Sequence, residues 1–269
     1  MTAQNLDDVL TATATGPGRY AYVVPNGWQT GRGSFGGLVV GAMTRAVADT
    51  VGAALPIRSI TAEIPAPVVP GDATIAVDVV RTGSSVTTAT VRLEQAGETR
   101  ALATAVCAAP RAGAAGEVRW QTQRPPVTTP WREVTPLPYI AGMAPAFARH
   151  VEYRVIGPMP LAKAAAAELL GYVGPREVPT RRDAAYVAAL ADAYWPAALA
   201  VFSSMRPTAT IAFTLELLES PDELDPAAPV LIQASSPVAH EGYAYETRLV
   251  WGEDGRLLAR NHQTFVIIK

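Results

Sequence analysis

One twelve-residue stretch occurs twice in this chain. Arg92–Ala103 (RLEQAGETRALA) reads against Arg248–Ala259 (RLVWGEDGRLLA) without a gap, at a constant offset of 156 residues. Both copies keep an opening Arg-Leu, a later Arg and a closing Leu-Ala around a turn that carries Gly and Glu. An offset above half of the 269-residue chain implies two related modules rather than a short solenoid period. A duplicated module buries its sheet against its twin, and the seam between the twins is a natural place for a site.

The hydrophobic content of 49% is ample for such a core. The net charge of -2 gives no field that favours nucleic acid or an anionic membrane. Cys107 is the single cysteine, so an intrachain disulfide is impossible, and one cysteine with three scattered histidines makes a structural zinc site a poor fit. The opening MTAQNLDDVL has no charged and apolar signal regions, and no apolar run approaches a membrane span. These features imply a soluble, cytoplasmic protein with no nucleic-acid or membrane partner, no metal and no cofactor.

The periodicity predicts a strand over 19–24, a Gly-rich entry at 31–37, and a helix from Leu38 whose apolar spacing leaves almost no polar face. Strands are expected over 57–64, 73–80, 86–93 and 100–108, with turns at 70–72 and 83–85. The second half repeats the order. A strand is expected over 150–156, and the Ala-rich 161–170 reads as either helix or strand. Asp183 caps a helix from Ala184 to about Val201 that Pro196 interrupts. Strands then cover 208–218, 230–235, 242–251 and 256–268. The modules are 1–112 and 146–269, joined by a Pro-, Gly-, Thr- and Ala-rich linker over 113–145.

One buried helix wrapped by an antiparallel sheet, present twice, resembles the α+β double hotdog fold. More narrowly, the chain is similar to the acyl-CoA thioesterase family of the thioesterase II type. The resemblance rests on Gly33-Ser34-Phe35-Gly36-Gly37 entering the first helix, Leu190-Ala191-Asp192-Ala193 in the second, and Asp254-Gly255-Arg256-Leu257-Leu258-Ala259 with Gln263 after it. It implies hydrolysis of an acyl-CoA or acyl-carrier thioester, and a homo-oligomer, since hotdog modules usually pair.

Gly36 and Gly37 suit an oxyanion site, because the first amides of a helix lack intrahelical partners and carry its positive end. The same glycines would equally allow tight helix packing. The resemblance implies three water-holding positions, which fall on Thr210, Ser235 and Gln263. Thr210 stands where the family pattern leads one to expect Asp, and a hydroxyl is no base near neutral pH. Asp192 is the carboxylate that could compensate: in an apolar helix it would have a raised pKa, unless it is a core Asp bonded to a backbone amide or hydroxyl. The missing strand carboxylate also leaves open a hotdog protein that binds or transforms an acyl thioester without hydrolysing it. His240-Glu241 reads as a solvated loop pair, and His262 points away from Gln263 by strand alternation. Cys107, opposite Gln263 in the repeat, reads as a core residue. No Gly-x-Ser-x-Gly elbow and no phosphate-binding Gly-Lys-Ser/Thr loop is present.

Overall fold

Apolar and polar residues alternate along most of the chain, and that period of two builds the strands. Val86–Gln95, for example, buries every second residue. A computed structural model describes residues 4–111 and 119–268. In chain order the elements of the first half are α1 (Leu6–Leu10), β1 (Thr13–Gly16), β2 (Arg19–Val24), β3 (Gln29–Thr30), β4 (Gly33–Ser34), α2 (Gly36–Val51), β5 (Ile57–Glu63), β6 (Gly71–Thr82), β7 (Val86–Gln95) and β8 (Glu98–Ala108). The second half gives β9 (Val151–Val155), β10 (Glu168–Pro175), α3 (Ala184–Ala193), β11 (Thr208–Leu217), β12 (Val230–His240), β13 (Tyr243–Trp251) and β14 (Leu257–Ile267).

Twelve of the strands form one antiparallel sheet in the order β1-β2-β6-β7-β8-β5-β11-β14-β13-β12-β10-β9. β5 and β11 pair directly, Phe213 opposite Ala62 and Leu215 opposite Ile60, so the sheets of the two halves are continuous. The inner face wraps α2 and α3. This is the double hotdog fold. α2 is buried almost throughout, with Leu38, Val40, Ala42, Met43 and Val47 fully enclosed. Antiparallel α2 and α3 meet at Gly37 and Gly41, where an added Cβ would stand 2.6 Å from the Ala189 carbonyl and 3.2 Å from that of Ala185. Glycine permits the approach.

Several expectations are corrected here. α3 ends at Ala193, short of Val201, and of the kink or break expected at Pro196 it is a break: Tyr194 is extended, and a separate turn of 3₁₀-helix covers Ala197–Ala200. Pro196 stops the helix because it lacks an amide hydrogen and restricts the residue before it. Residues 161–167 are neither helix nor strand, and the strand begins at Glu168.

The gap-free repeat also fails in part. The first hairpin turns on Ala96-Gly97, both at positive φ, whereas residues 252–256 form the second connection. β8 and β14 keep matching inward positions at the 156-residue offset, Ala103, Ala105 and Cys107 against Ala259, Asn261 and Gln263. β7 and β13 do not: Arg92 is exposed while Arg248 is wholly buried. The longer turn shifts the pleat by an odd number of residues, so the two arginines face opposite ways.

The expected boundary at 112–113 lies outside the described residues. Within the connector, Trp131 and Val134 cover an apolar cluster of Tyr172, Leu231, Trp251 and Leu257, whereas Leu137, Tyr139 and Ala144 pack against the main core. Arg119 pairs with Glu219, and the Gln121 side chain donates to the Gly255 carbonyl and accepts from the Leu257 amide.

Candidate active site

The start of α2 is unusual in having no side-chain cap. Phe35 at the cap position offers no acceptor, so the first amides face whatever lies beyond the helix. What lies there is Asp192, near the end of α3. Its carboxylate faces the Gly37 amide and the Gln263 side chain, and both favour its charged form. A Cβ on Gly36 would sit 2.8 Å from Asp192 Oδ2, so glycine at 36 makes room for the carboxylate. Asp192 keeps a little accessible surface while protein packs around its carboxyl. Burial raises it from an ordinary 3.8 to about 6, against the opposing pull of Arg248, Gln263 and the Gly37 amide, with Glu246 adding slightly to the rise.

Gln263 is buried on the inner face of β14 and is fixed at both ends of its amide. Its Oε1 accepts from Thr210 Oγ1 at 3.0 Å, and its Nε2 donates to Asn261 Oδ1 at 2.7 Å. Asn261 is itself held by donating to the Thr214 carbonyl at 2.9 Å. Thr210 pairs with Phe265 across the β11–β14 ladder, just before an irregularity, and faces inward with it. Asp192, Gln263 and Thr210 thus form one connected set at the positive end of α2. Gly36, Asp192 and Thr210 are all partly accessible, while Gln263 beside them is buried.

Ser235 is not part of this set. It pairs with Thr247 and Glu168, and it alternates with the buried Ile232, Ala234 and Ser236 of its strand. Counting back from Gly242 lands one residue off because β12 is irregular between Ser235 and Val238, and one residue turns a side chain to the other face. The inward residue is Ser236, whose Oγ is buried without a hydrogen-bond partner. His262 lies on the outer face, 3.3 Å from Thr247 Oγ1. His240, at the end of β12, and Glu241, in the turn at φ 53, are both exposed. Cys107 is enclosed in the core and burial pushes its thiol up to about 11, so it carries no thiolate near neutral pH.

The start of α3 differs from that of α2. Asp183 accepts from the Ala185 and Tyr186 amides at 3.0 and 3.1 Å, and Arg45 pairs with it at 2.9 Å. That helix end is closed by its own side chains. Of the two helix starts, only that of α2 reaches the connected polar set. Among the described residues no cluster of His, Cys, Asp or Glu suits a metal, and no helix is long and apolar enough to cross a membrane.

Residues 24–108 match the acyl-CoA thioesterase N-terminal domain, and residues 122–267 match the acyl-CoA thioesterase C-terminal domain. The chain belongs to the acyl-CoA thioesterase family. Solved structures agree on the fold of this family member. A hot dog fold protein of unknown function from Alicyclobacillus acidocaldarius is 23% identical over 98% of each chain, with a TM-score of 0.87. A putative thioesterase II from Thermobifida fusca is 21% identical over 100% of this chain and 99% of that one, with a TM-score of 0.81. The acyl-CoA thioesterase II TesB2 of Mycobacterium marinum is 17% identical over 97% of each, with a TM-score of 0.77. The sequence matched no curated protein. Family and fold support thioester hydrolysis as the general chemistry.

The sequence pattern missed the buried pair Glu246 and Arg248 on β13. Ungapped comparison had equated Arg248 with the exposed Arg92. The inward alternation of Glu246, Arg248 and Val250 is the signal that could have found the pair.

Proposed function

We propose that the protein hydrolyses an acyl-CoA or a related acyl thioester by direct attack of water, with Asp192 as general base. The observation that carries this reading is the Asp192–Gln263–Thr210 set at the uncapped start of α2. Asp192 with a pKa near 6 is ionised at neutral pH and still basic enough to take a proton from water. Gln263 and Thr210 orient that water. The water oxygen adds to the thioester carbon, and the carbonyl electrons move onto oxygen. The Gly36 amide and the positive end of α2 stabilise that oxyanion, while the Gly37 amide holds Asp192. As the intermediate collapses, the C–S bond breaks and the thiolate takes up the proton held by Asp192.

Ser235 has no part in this scheme, and Thr210 needs no carboxyl because α3 supplies one. The test is purified protein with acyl-CoAs of graded chain length and a free-thiol readout. Thiol release with an acid limb near pH 6 is expected. Folded protein that releases no thiol at any chain length would instead support the rival reading, a hotdog protein that binds an acyl thioester without cleaving it.

A further inference from the structure

We propose that Arg248, locked in place by Glu246, is a positioning residue for Asp192: it moors the end of α3 to β13 and so fixes the carboxylate against Gln263. This rests on the proposed function.

Asp192 is the penultimate residue of α3, where the last carbonyls lack partners and the helix end is negative. No basic residue of α3 itself lies in its last turn. Arg248 supplies the missing cation from β13. One guanidinium nitrogen donates to the Ala191 carbonyl at 2.8 Å and the other to that of Trp195 at 3.5 Å, so its fork brackets Asp192 on both sides. The Tyr153 hydroxyl adds a bond to the Ala193 carbonyl at 2.9 Å from β9.

Glu246 holds the fork. Its Oε1 is 2.6 Å from Arg248 Nε, and its Oε2 accepts from the Ala197 amide at 2.6 Å, so it also ties down the segment that follows α3. Both side chains are completely buried. A buried ion pair adds little net stability over apolar residues, so its retention beside a candidate general base points to a task other than stability. Register supports the same reading. Glu246 stands directly opposite Gln263 across the β13–β14 ladder, so mooring α3 to β13 sets its distance from Gln263 itself. The ionisable groups around Asp192 are Arg248 and Glu246 from β13 and Tyr153 from β9; the Gly37 amide and Gln263 are neutral donors. Of these, only Arg248 is a cation that touches the α3 carbonyls. β7 in the first half has Ala89, Val91 and Leu93 on its inner face and no counterpart of this pair.

The experiment follows the pH titration of the Asp192 carboxyl by ¹³C NMR in the full chain, the signal being assigned by its loss in Asp192→Asn. In Arg248→Met/Glu246→Gln, which leaves no unpaired buried charge, the midpoint should move above the wild-type value. Arg248→Lys keeps the charge but loses the fork. Its midpoint should stay near wild type, the Gln263 side-chain amide resonance should shift, and kcat should drop about tenfold or more with KM nearly unchanged. A folded double variant with an unmoved midpoint overturns the proposal. So does Arg248→Lys with wild-type Gln263 resonances, a comparison that remains decisive if the double variant does not fold. Both NMR readouts are made without substrate, so a chain that released no thiol would defeat the proposed function while leaving this inference to be judged separately.

Discussion

At the scale of single residues, Asp192 stands out because its environment is costly. Moving its carboxyl from 3.8 to about 6 corresponds to about 3 kcal/mol at neutral pH. The folded form holds the proton more tightly than the unfolded chain does. Its contribution to stability is therefore best at pH 4 and below, and declines as pH rises through 6. Asp192→Asn should remove that decline, so the variant should melt higher than wild type at pH 7, and thermal melts across pH 4–8 check it. The same variant should lose about 10²–10⁴-fold in thiol release, the range of general-base catalysis. Gly36→Ala probes the other side of the contact. Its Cβ would meet Asp192 Oδ2 at 2.8 Å, so turnover should fall with little change in melting temperature, because α2 itself accommodates alanine. Asp192 was legible in sequence as a charge in an apolar helix, and Gln263 only through the resemblance to a known family. Ser235 was not, since the irregularity in β12 turns the inward position over to Ser236 and local spacing carries no mark of it.

Between elements, the two helix starts have separated in role. α3 is capped by Asp183 and α2 is left open for a carboxylate from its neighbour. Asp183→Ala should cost about 0.5–2 kcal/mol from the lost cap, and somewhat more because Arg45 would keep only Asp7 as its ionic partner. Catalysis should survive, since this end lies away from Gln263; chemical denaturation paired with the thiol assay measures both. The sequence announced this cap, an Asp before an apolar run. It did not announce where α3 ends, because Pro196 within a run of small residues reads equally well as a kink or a stop. The moored end at Arg248 was hidden for a similar reason: whether an arginine on a strand faces in or out depends on a turn length that pattern matching had treated as equal.

For the whole molecule, the seam between β5 and β11 decides the cooperativity. Phe213 is fully buried at that seam, opposite both Ala62 and Gln263. Phe213→Ala should cost about 3–5 kcal/mol, and both halves should still unfold in one transition, because the sheet is continuous across the seam and the helices share one core. Coincident denaturation curves from near-ultraviolet circular dichroism and from residual activity check this; separate midpoints would show that the halves are independent. The duplicated architecture was readable from the order of elements, since each half repeats a buried helix followed by four strands. The asymmetry between the halves was not, because it resides in one hairpin connection and in which way β13 faces.

Because α2 and α3 run antiparallel, the carboxylate at their junction lies at the positive end of one helix and the negative end of the other. The fields of the two ends oppose each other there, which leaves desolvation and the nearby guanidinium to govern its proton. Neither is much weakened by mobile ions at such depth. Raising potassium chloride from tens of millimolar to half molar should therefore leave the acid limb of the rate profile where it was, unlike that of an enzyme whose base titrates in open water.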